Sequence, residues 1–576
     1  MSVALALAGI GFLLSWLLPN HYAPWASFWQ DVSAALGLMA LWALSILCSA
    51  RNIRVSWLSL GAALVAVVPL IQWACGQVYF FGDAVIVCLY LIGFSLAVAT
   101  PTFSPAEAEL IIEPLVIACI AACVLSVGLA ISQWLNIGRT SIFFVDMPPN
   151  ARPYANLAQP NQLATLLLLG VVGALWSLQK EWIGRFGAGL AIAWFCFGIA
   201  VTQSRSAWAG MAVLVIWLLV VQRRANIKIG RVAIAVVGGH FFLFVLAWPT
   251  LCDWLFLSAN RSLADQAKAG VRVPLWAAML DAIGREPWIG YGWNQVSVAQ
   301  FKVADAHAPI NQWFEDAHNL IIELFVTNGV LVGGLIAVSL TLWLWRHLYA
   351  CKDAASALAL GGILVVGVHA MFEFPLDYAY FLLPTGLLAG LVEGRSTPRK
   401  SIVLPRVLVI VVGVVAATLL ARVVYEYLEV EKRHRDMRFE MAGFGPSFDQ
   451  SNAIQLRLLT QFDEISNFAK SRAVRNMSQE QLDEMKKMAE RFGFPPVLFR
   501  YALAAGLNGD PATAERTLNV LCRVHAVELC VEGVTAWHAM AQGDYPELRA
   551  VKVPDLKGEI QMTPLQIFRP SIPAPP

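Results

Sequence analysis

Charge is scarce in this chain of 576 residues: Asp, Glu, Lys and Arg together make up 14%, where a soluble protein carries about 25%. With 58% of residues hydrophobic, that shortage excludes a single soluble globule of this size. A formal net charge of +2 leaves no basic footprint for nucleic acid. The ten cysteines include no CxxC pair, which argues against a zinc or thioredoxin-type site. No basic residue separates Met1-Ser2-Val3 from the first apolar run. The positive n-region of a secretory signal is therefore missing, and residues 3–18 are expected to be a retained span.

Long apolar runs fill the first three quarters of the chain, and charge crowds the last quarter. A span needs roughly 20 apolar residues. Thirteen segments meet that need, near 3–18, 31–49, 56–74, 82–100, 112–133, 161–178, 185–201, 206–221, 231–250, 329–345, 355–372, 376–392 and 402–424. The expected fold is an all-α polytopic membrane protein, with a transmembrane domain over 1–424 and a helical domain over 425–576. In the tail, Phe499, Leu503 and Ala504 share a helical face, and Asn508-Gly509-Asp510-Pro511 marks a turn before the next helix. That pattern resembles one helical-repeat unit. The last stretch, Pro570 to Pro576, is expected to lack fixed structure.

Lys and Arg in the short loops set the orientation. With the N-terminus in the cytoplasm, alternation gives the inner connections fourteen of these residues, from Arg51 and Arg54 through Lys400 and Arg406. The short outer connections hold three, Arg139, Arg152 and Arg205. One inner connection, 101–111, has none. The loop 251–328 and the tail then both face outward, away from the cytoplasm. In the tail, Cys522 and Cys530 could form a disulfide in an oxidising compartment. Eight residues apart on one straight helix they could not meet, so pairing requires a turn between them.

Chemically capable residues gather on the outer side. Arg205 sits in Ser204-Arg205-Ser206 between two apolar helices; it either snorkels to lipid phosphates or clamps an anion, because guanidinium grips phosphate oxygens bidentately. Asn156, Gln159, Asn161 and Gln162 place four amides in seven residues, suited to sugar hydroxyls or to helix capping. Loop 251–328 is too long for a plain connector. It carries Arg272 to Trp276, the turn Gly290 to Asn294, and Asp316-Ala317-His318-Asn319 ahead of an apolar run. His318 should open a short helix at the outer surface, broken from the next span at Asn328-Gly329. His369 and Glu373 lie one helical turn apart and can share a face; a carboxylate at membrane depth is a functional candidate, or else part of a buried Glu–Arg pair.

These blocks, with Phe372 to Leu376 and Tyr380, occur in an order that resembles the bacterial O-oligosaccharyltransferases, or pilin-type protein glycosylases, of the O-antigen ligase and polymerase superfamily. The resemblance covers most of the membrane part. It implies a helical bundle like that of the GT-C membrane glycosyltransferases, and a glycan donor on undecaprenyl diphosphate. The implied acceptor is a Ser or Thr hydroxyl of pilin or another periplasmic protein. In the ligase and polymerase branches the acceptor is instead a lipid-linked sugar or a growing glycan. His318 would be the base, with Arg205 and Arg272 on the diphosphate. Gln159, Tyr380, Asn156, Asn161, Glu373 and His369 would position substrate or the base. No cofactor is called for. The outer loops show no carboxylate cluster resembling a metal cage, so inverting, metal-independent transfer is expected. A glycan flippase would carry its polar features near the midplane in paired repeats, and no convincing internal repeat is present.

Overall fold

The computed structural model describes residues 2–49, 52–137, 142–148, 151–254, 270–395, 401–443 and 454–555. Arg139 and Pro570–Pro576 lie outside them. Helix dominates because in lipid a backbone must satisfy its own hydrogen bonds. Each of the thirteen expected spans falls mostly on helix, although 56–74 is divided between two helices and 402–405 lie in a strand. Among the described residues, nine helices reach the length and apolarity needed to cross a membrane. Ser2–Leu17, Arg205–Val221 and Ala354–Ala370 are apolar but shorter.

In chain order the helices are α1 (Ser2–Leu17), α2 (Phe28–Cys48), α3 (Trp57–Val65), α4 (Val68–Ala74), α5 (Phe81–Ala99), α6 (Ala108–Trp134), α7 (Pro160–Gln179), α8 (Arg185–Thr202), α9 (Arg205–Val221) and α10 (Arg231–Trp254). Then come α11 (Arg272–Arg285), α12 (Val296–Val303), α13 (Leu320–Asn328), α14 (Gly334–Ala350), α15 (Ala354–Ala370), α16 (Ala379–Arg395) and α17 (Arg406–Met441). The tail adds α18 (Thr460–Lys470), α19 (Gln479–Arg491), α20 (Pro495–Leu507), α21 (Pro511–Val524) and α22 (Val527–Gln542).

Contacts divide the chain into two compact units. The first holds residues 1–270, 288–294 and 316–463. Its centre is α7, whose span is 89% buried, against 17% for α17 at the periphery. Close helix approach uses small residues, as interfaces in lipid do: a Cβ added at Gly11 of α1 would lie 2.8 Å from the Cα of Gly37 in α2.

Alternate connections of this unit meet each other. Asn52–Ser56 pairs antiparallel with Ser401–Pro405. Lys180 reaches Glu109 at 2.6 Å, Arg395 reaches Asp353 at 2.7 Å, and Arg224 donates to the carbonyl of Leu348 at 2.7 Å. These are the connections expected inside. The 101–111 connection, which has no Lys or Arg, supplies the Glu109 that both Lys180 and Arg395 hold. The other set also converges. Asn156 bonds the carbonyl of Leu17, Asn294 bonds Asp83, and Gln72 bonds the carbonyl of Thr327.

The turn at 288–294 locks onto the end of α13. Gly290 (φ +70°) and Gly329 (φ +66°) face each other so closely that a Cβ on Gly329 would lie 2.3 Å from the carbonyl oxygen of Trp288. Tyr291 and Gly292 donate to the carbonyls of Val326 and Thr327. α13 therefore breaks at Asn328-Gly329, and a single π-turn (Gly329–Gly333) leads into α14. Such turns mark helix irregularities.

The second unit holds residues 271–287, 295–315 and the tail from Glu464. The insert is thus built into a domain with the tail. Ser297 donates to the carbonyl of Arg491, Ile310 and Asn311 both donate to that of Arg523, and Arg516 pairs with Asp305 at 2.9 Å. Gly493 leaves room for the ring of Trp313, which stacks on His525. The expected turn is present: Gly509 has φ +83°, and Asp510 caps α21 through the amide of Thr513. A disulfide joins Cys522 in α21 to Cys530 in α22 across the break at His525-Ala526.

Candidate active site

His318 stands two residues ahead of α13. Asn319 is the N-cap: its Oδ1 accepts from the amides of Ile321 and Ile322, and its Nδ2 donates to the carbonyl of Met371. The amide of Ala317 donates to Glu323 Oε2 at 2.6 Å. Between these fixed neighbours His318 takes φ +51°, a left-handed conformation uncommon for a residue with a Cβ. Such outliers persist where the surroundings over-determine them, and they cluster at functional sites.

That turn aims His318 Nδ1 at Glu373 Oε2, 2.8 Å away. The ring also stands edge-on to Phe374, with centroids 4.9 Å apart. Glu373 is only 6% exposed and the His318 side chain 17%. When the carboxylate is ionised it can only accept, and Nδ1 then carries the hydrogen while Nε2 is the basic nitrogen.

The second oxygen of Glu373 is held as well. Asn161 Nδ2, in the first turn of α7, donates to Oε1 at 2.7 Å. Ser204 Oγ donates to Asn161 Oδ1 at 2.8 Å and lies 3.0 Å from Ser206 Oγ. Ser204 and Ser206 flank Arg205, the first residue of α9, which is half-buried. Arg152 secures the approach from the other side by donating to the carbonyls of Thr202 and Gln203 at the end of α8. One series of contacts thus joins the turn of Arg205 to His318.

The four amides separate into different tasks. Asn156 is taken up by backbone: it bonds the carbonyls of Leu17 and Phe143 and the amide of Val145. Gln159 occupies the N-cap position of α7 without capping it and is half-buried. Gln162 accepts from the hydroxyl of Tyr380 at 2.6 Å, and Tyr380 is fully buried. His369 is buried against Thr165, whose hydroxyl lies 2.8 Å from its Nδ1. Arg272 opens α11 in the second unit and is half-buried.

Sequence reasoning missed three participants. Ser204 and Thr165 are small hydroxyls with no pattern of their own. Arg152 was visible only as an outer charge. A carboxylate group was also missed. Asp377, in the connection before α16, hydrogen-bonds Asp316 beside Glu323, and burial raises its carboxyl to about 6. Among the described residues no group of three or more His, Cys, Asp or Glu is arranged to hold a metal ion.

Residues 153–177 match the protein glycosylation ligase family, 190–337 the O-antigen ligase family, and 357–529 the C-terminal part of the virulence factor membrane-bound polymerases. A general O-oligosaccharyltransferase of Acinetobacter baylyi is 29% identical over 549 residues, 93% of this chain and 95% of the relative. The chain is thus similar to an O-oligosaccharyltransferase over nearly its whole length and to the O-antigen ligases over part of it. A ComP-specific O-oligosaccharyltransferase of the same organism is 26% identical over 68% of this chain and 71% of its own length. The three matched segments between them contain Gln159, Asn161, Arg205, Arg272, His318, Glu373 and Tyr380. The O-antigen ligase match thus includes both the His318 turn and the Arg205 turn.

Proposed function

We propose that this protein transfers a glycan en bloc from undecaprenyl diphosphate to Ser or Thr hydroxyls of a periplasmic protein such as a pilin. The observation that carries the reading is the His318–Glu373 contact, tied through Asn161 and Ser204 to the turn of Arg205. An acceptor hydroxyl is a poor nucleophile at neutral pH, and a histidine titrates close enough to that pH to take its proton. Glu373 holds the imidazole in the tautomer that leaves Nε2 basic and stabilises the imidazolium that forms.

The acceptor oxygen attacks the anomeric carbon as His318 Nε2 takes the hydroxyl proton. The bond from that carbon to the diphosphate oxygen breaks, and its electron pair leaves with undecaprenyl diphosphate. Direct displacement inverts the anomeric carbon. Negative charge grows on the leaving group, so a fixed cation beside it stabilises the transition state more than the ground state. Arg205 supplies that cation. Arg272 is given the same role on the resemblance alone. The reaction runs without a divalent metal, with guanidinium in its place.

The site and the tail face the periplasm of the inner membrane. The charge bias of the loops supports that sidedness, and so does the Cys522–Cys530 disulfide, which suits an oxidising compartment. A lipid or glycan acceptor is the second reading, favoured by the matches to the ligase and polymerase families. Purified protein, lipid-linked glycan and candidate acceptors in one tube, with EDTA present, decide between them by product mass. Glycosylated protein is the expected product. A glycosylated lipid or a lengthened glycan would move the protein to the other branch, and a requirement for Mg²⁺ after chelation would overturn the metal-free step.

A further inference from the structure

We propose that Asn161 is a positioning residue for the His318–Glu373 pair rather than a contact to the glycan. The proposal rests on the reading of His318 as base. The Asn161 side chain is 8% exposed as a residue, and both its polar atoms are committed inside the protein. Nδ2 donates to Glu373 Oε1, and Oδ1 accepts from Ser204 Oγ.

The direction of these bonds matters. An amide can turn over, presenting either its N–H or its oxygen to a neighbour. Oxygen facing the Glu373 carboxylate would set two acceptors against each other in a buried place, where an unmet group is costly. The carboxylate, which accepts, therefore takes the N–H end, and the Ser204 hydroxyl satisfies the other end by donating to Oδ1. Ser204 occupies the N-cap position of α9, where serine normally bonds a first-turn amide. Here its side chain makes no such bond and serves Asn161 instead. The N–H on Oε1 favours the ionised carboxylate and leaves Oε2 to the imidazole. Three side-chain bonds therefore set α7, the first turn of α9, the 371–378 connection and the His318 turn in one frame. Outer-shell partners of this kind typically matter about 10- to 100-fold in activity.

The test is the steady-state kinetics of Asn161→Ala, Glu373→Ala and the double variant in the full-length protein, with lipid-linked glycan varied. Asn161→Ala should lower kcat about 10- to 100-fold and leave the KM for the lipid-linked glycan near that of the parent. In the Glu373→Ala background the same change should cost little more, because its effect passes through the missing carboxylate. A raised KM with kcat intact would make Asn161 a substrate contact and overturn the proposal. So would a full additive loss in the double variant, or normal turnover by Asn161→Ala while Glu373→Ala is inactive. Full activity of Glu373→Ala would instead remove the His318–Glu373 reading itself. Should Asn161→Ala fail to reach the membrane, Ser204→Ala carries the same test, with a smaller fall in kcat at unchanged KM expected and a raised KM or no change overturning the proposal.

Discussion

His318 Nδ1 lies 2.8 Å from Glu373 Oε2, although 55 positions separate the two residues. The contact joins a left-handed turn ahead of α13 to the connection after α15. It puts the Glu373 carboxylate where it can orient the imidazole.

Removing the base should stop the reaction without removing the protein. His318→Ala is expected to lose transfer while remaining in the membrane fraction. A positioned general base contributes about 10²–10⁴-fold. Glu373→Gln should fall within that range, because an amide does not stabilise an imidazolium as a carboxylate does. Glycan transfer assayed on equal amounts of membrane-inserted protein checks both, and near-normal activity of His318→Ala would sink the base assignment.

Charge alone should not replace the arginines. Arg205→Lys keeps the positive charge but loses the planar fork that meets two phosphate oxygens at once. Turnover should drop by about tenfold or more, with the same direction for Arg272→Lys. Single-turnover rates at saturating lipid-linked glycan provide the measurement. Parent-like rates in both variants would exclude a bidentate diphosphate clamp.

Stability should fall as pH rises through about 6, the value to which burial raises the Asp377 carboxyl. Below the ordinary carboxylate range the group is protonated whether folded or unfolded. As pH passes through the folded value, it must ionise while buried beside Asp316 and Glu323, which favours the unfolded chain. Asp377→Asn keeps a neutral side chain there and should flatten the dependence. Thermal unfolding of the detergent-purified protein between about pH 4 and about pH 7 tests this. An unchanged slope in Asp377→Asn would remove Asp377 as its source.

The Cys522–Cys530 bond closes a short loop within the second unit. By loop-closure entropy it contributes about 2–3 kcal/mol. Reduction or Cys522→Ser should make the second unit easier to cleave by protease, while the apolar helices stay protected. Mass tagging of thiols on the full chain should add two tags after reduction relative to the oxidised protein. Equal tagging in both states would show that the bond is absent.

The chain's sequence already located the apolar helices, because apolar run length is a local property. It also located the polar blocks and the turn Asn508 to Pro511. Glu373 was visible as a costly carboxylate, but its contact with His318 was not. Asn161 and Glu373 are 212 positions apart, and Asn161 and Ser204 are 43. No periodicity relates residues on different helices, so only helix packing brings them together. The same packing decided that Asn156 holds backbone while Asn161, five residues on, holds the carboxylate. It also decided that the insert after Gly270 and the tail from Glu464 build one domain. Local patterns dictate where a chain turns into helix. Which side chains meet is a property of the packed set, and the chemistry of this site depends on those meetings.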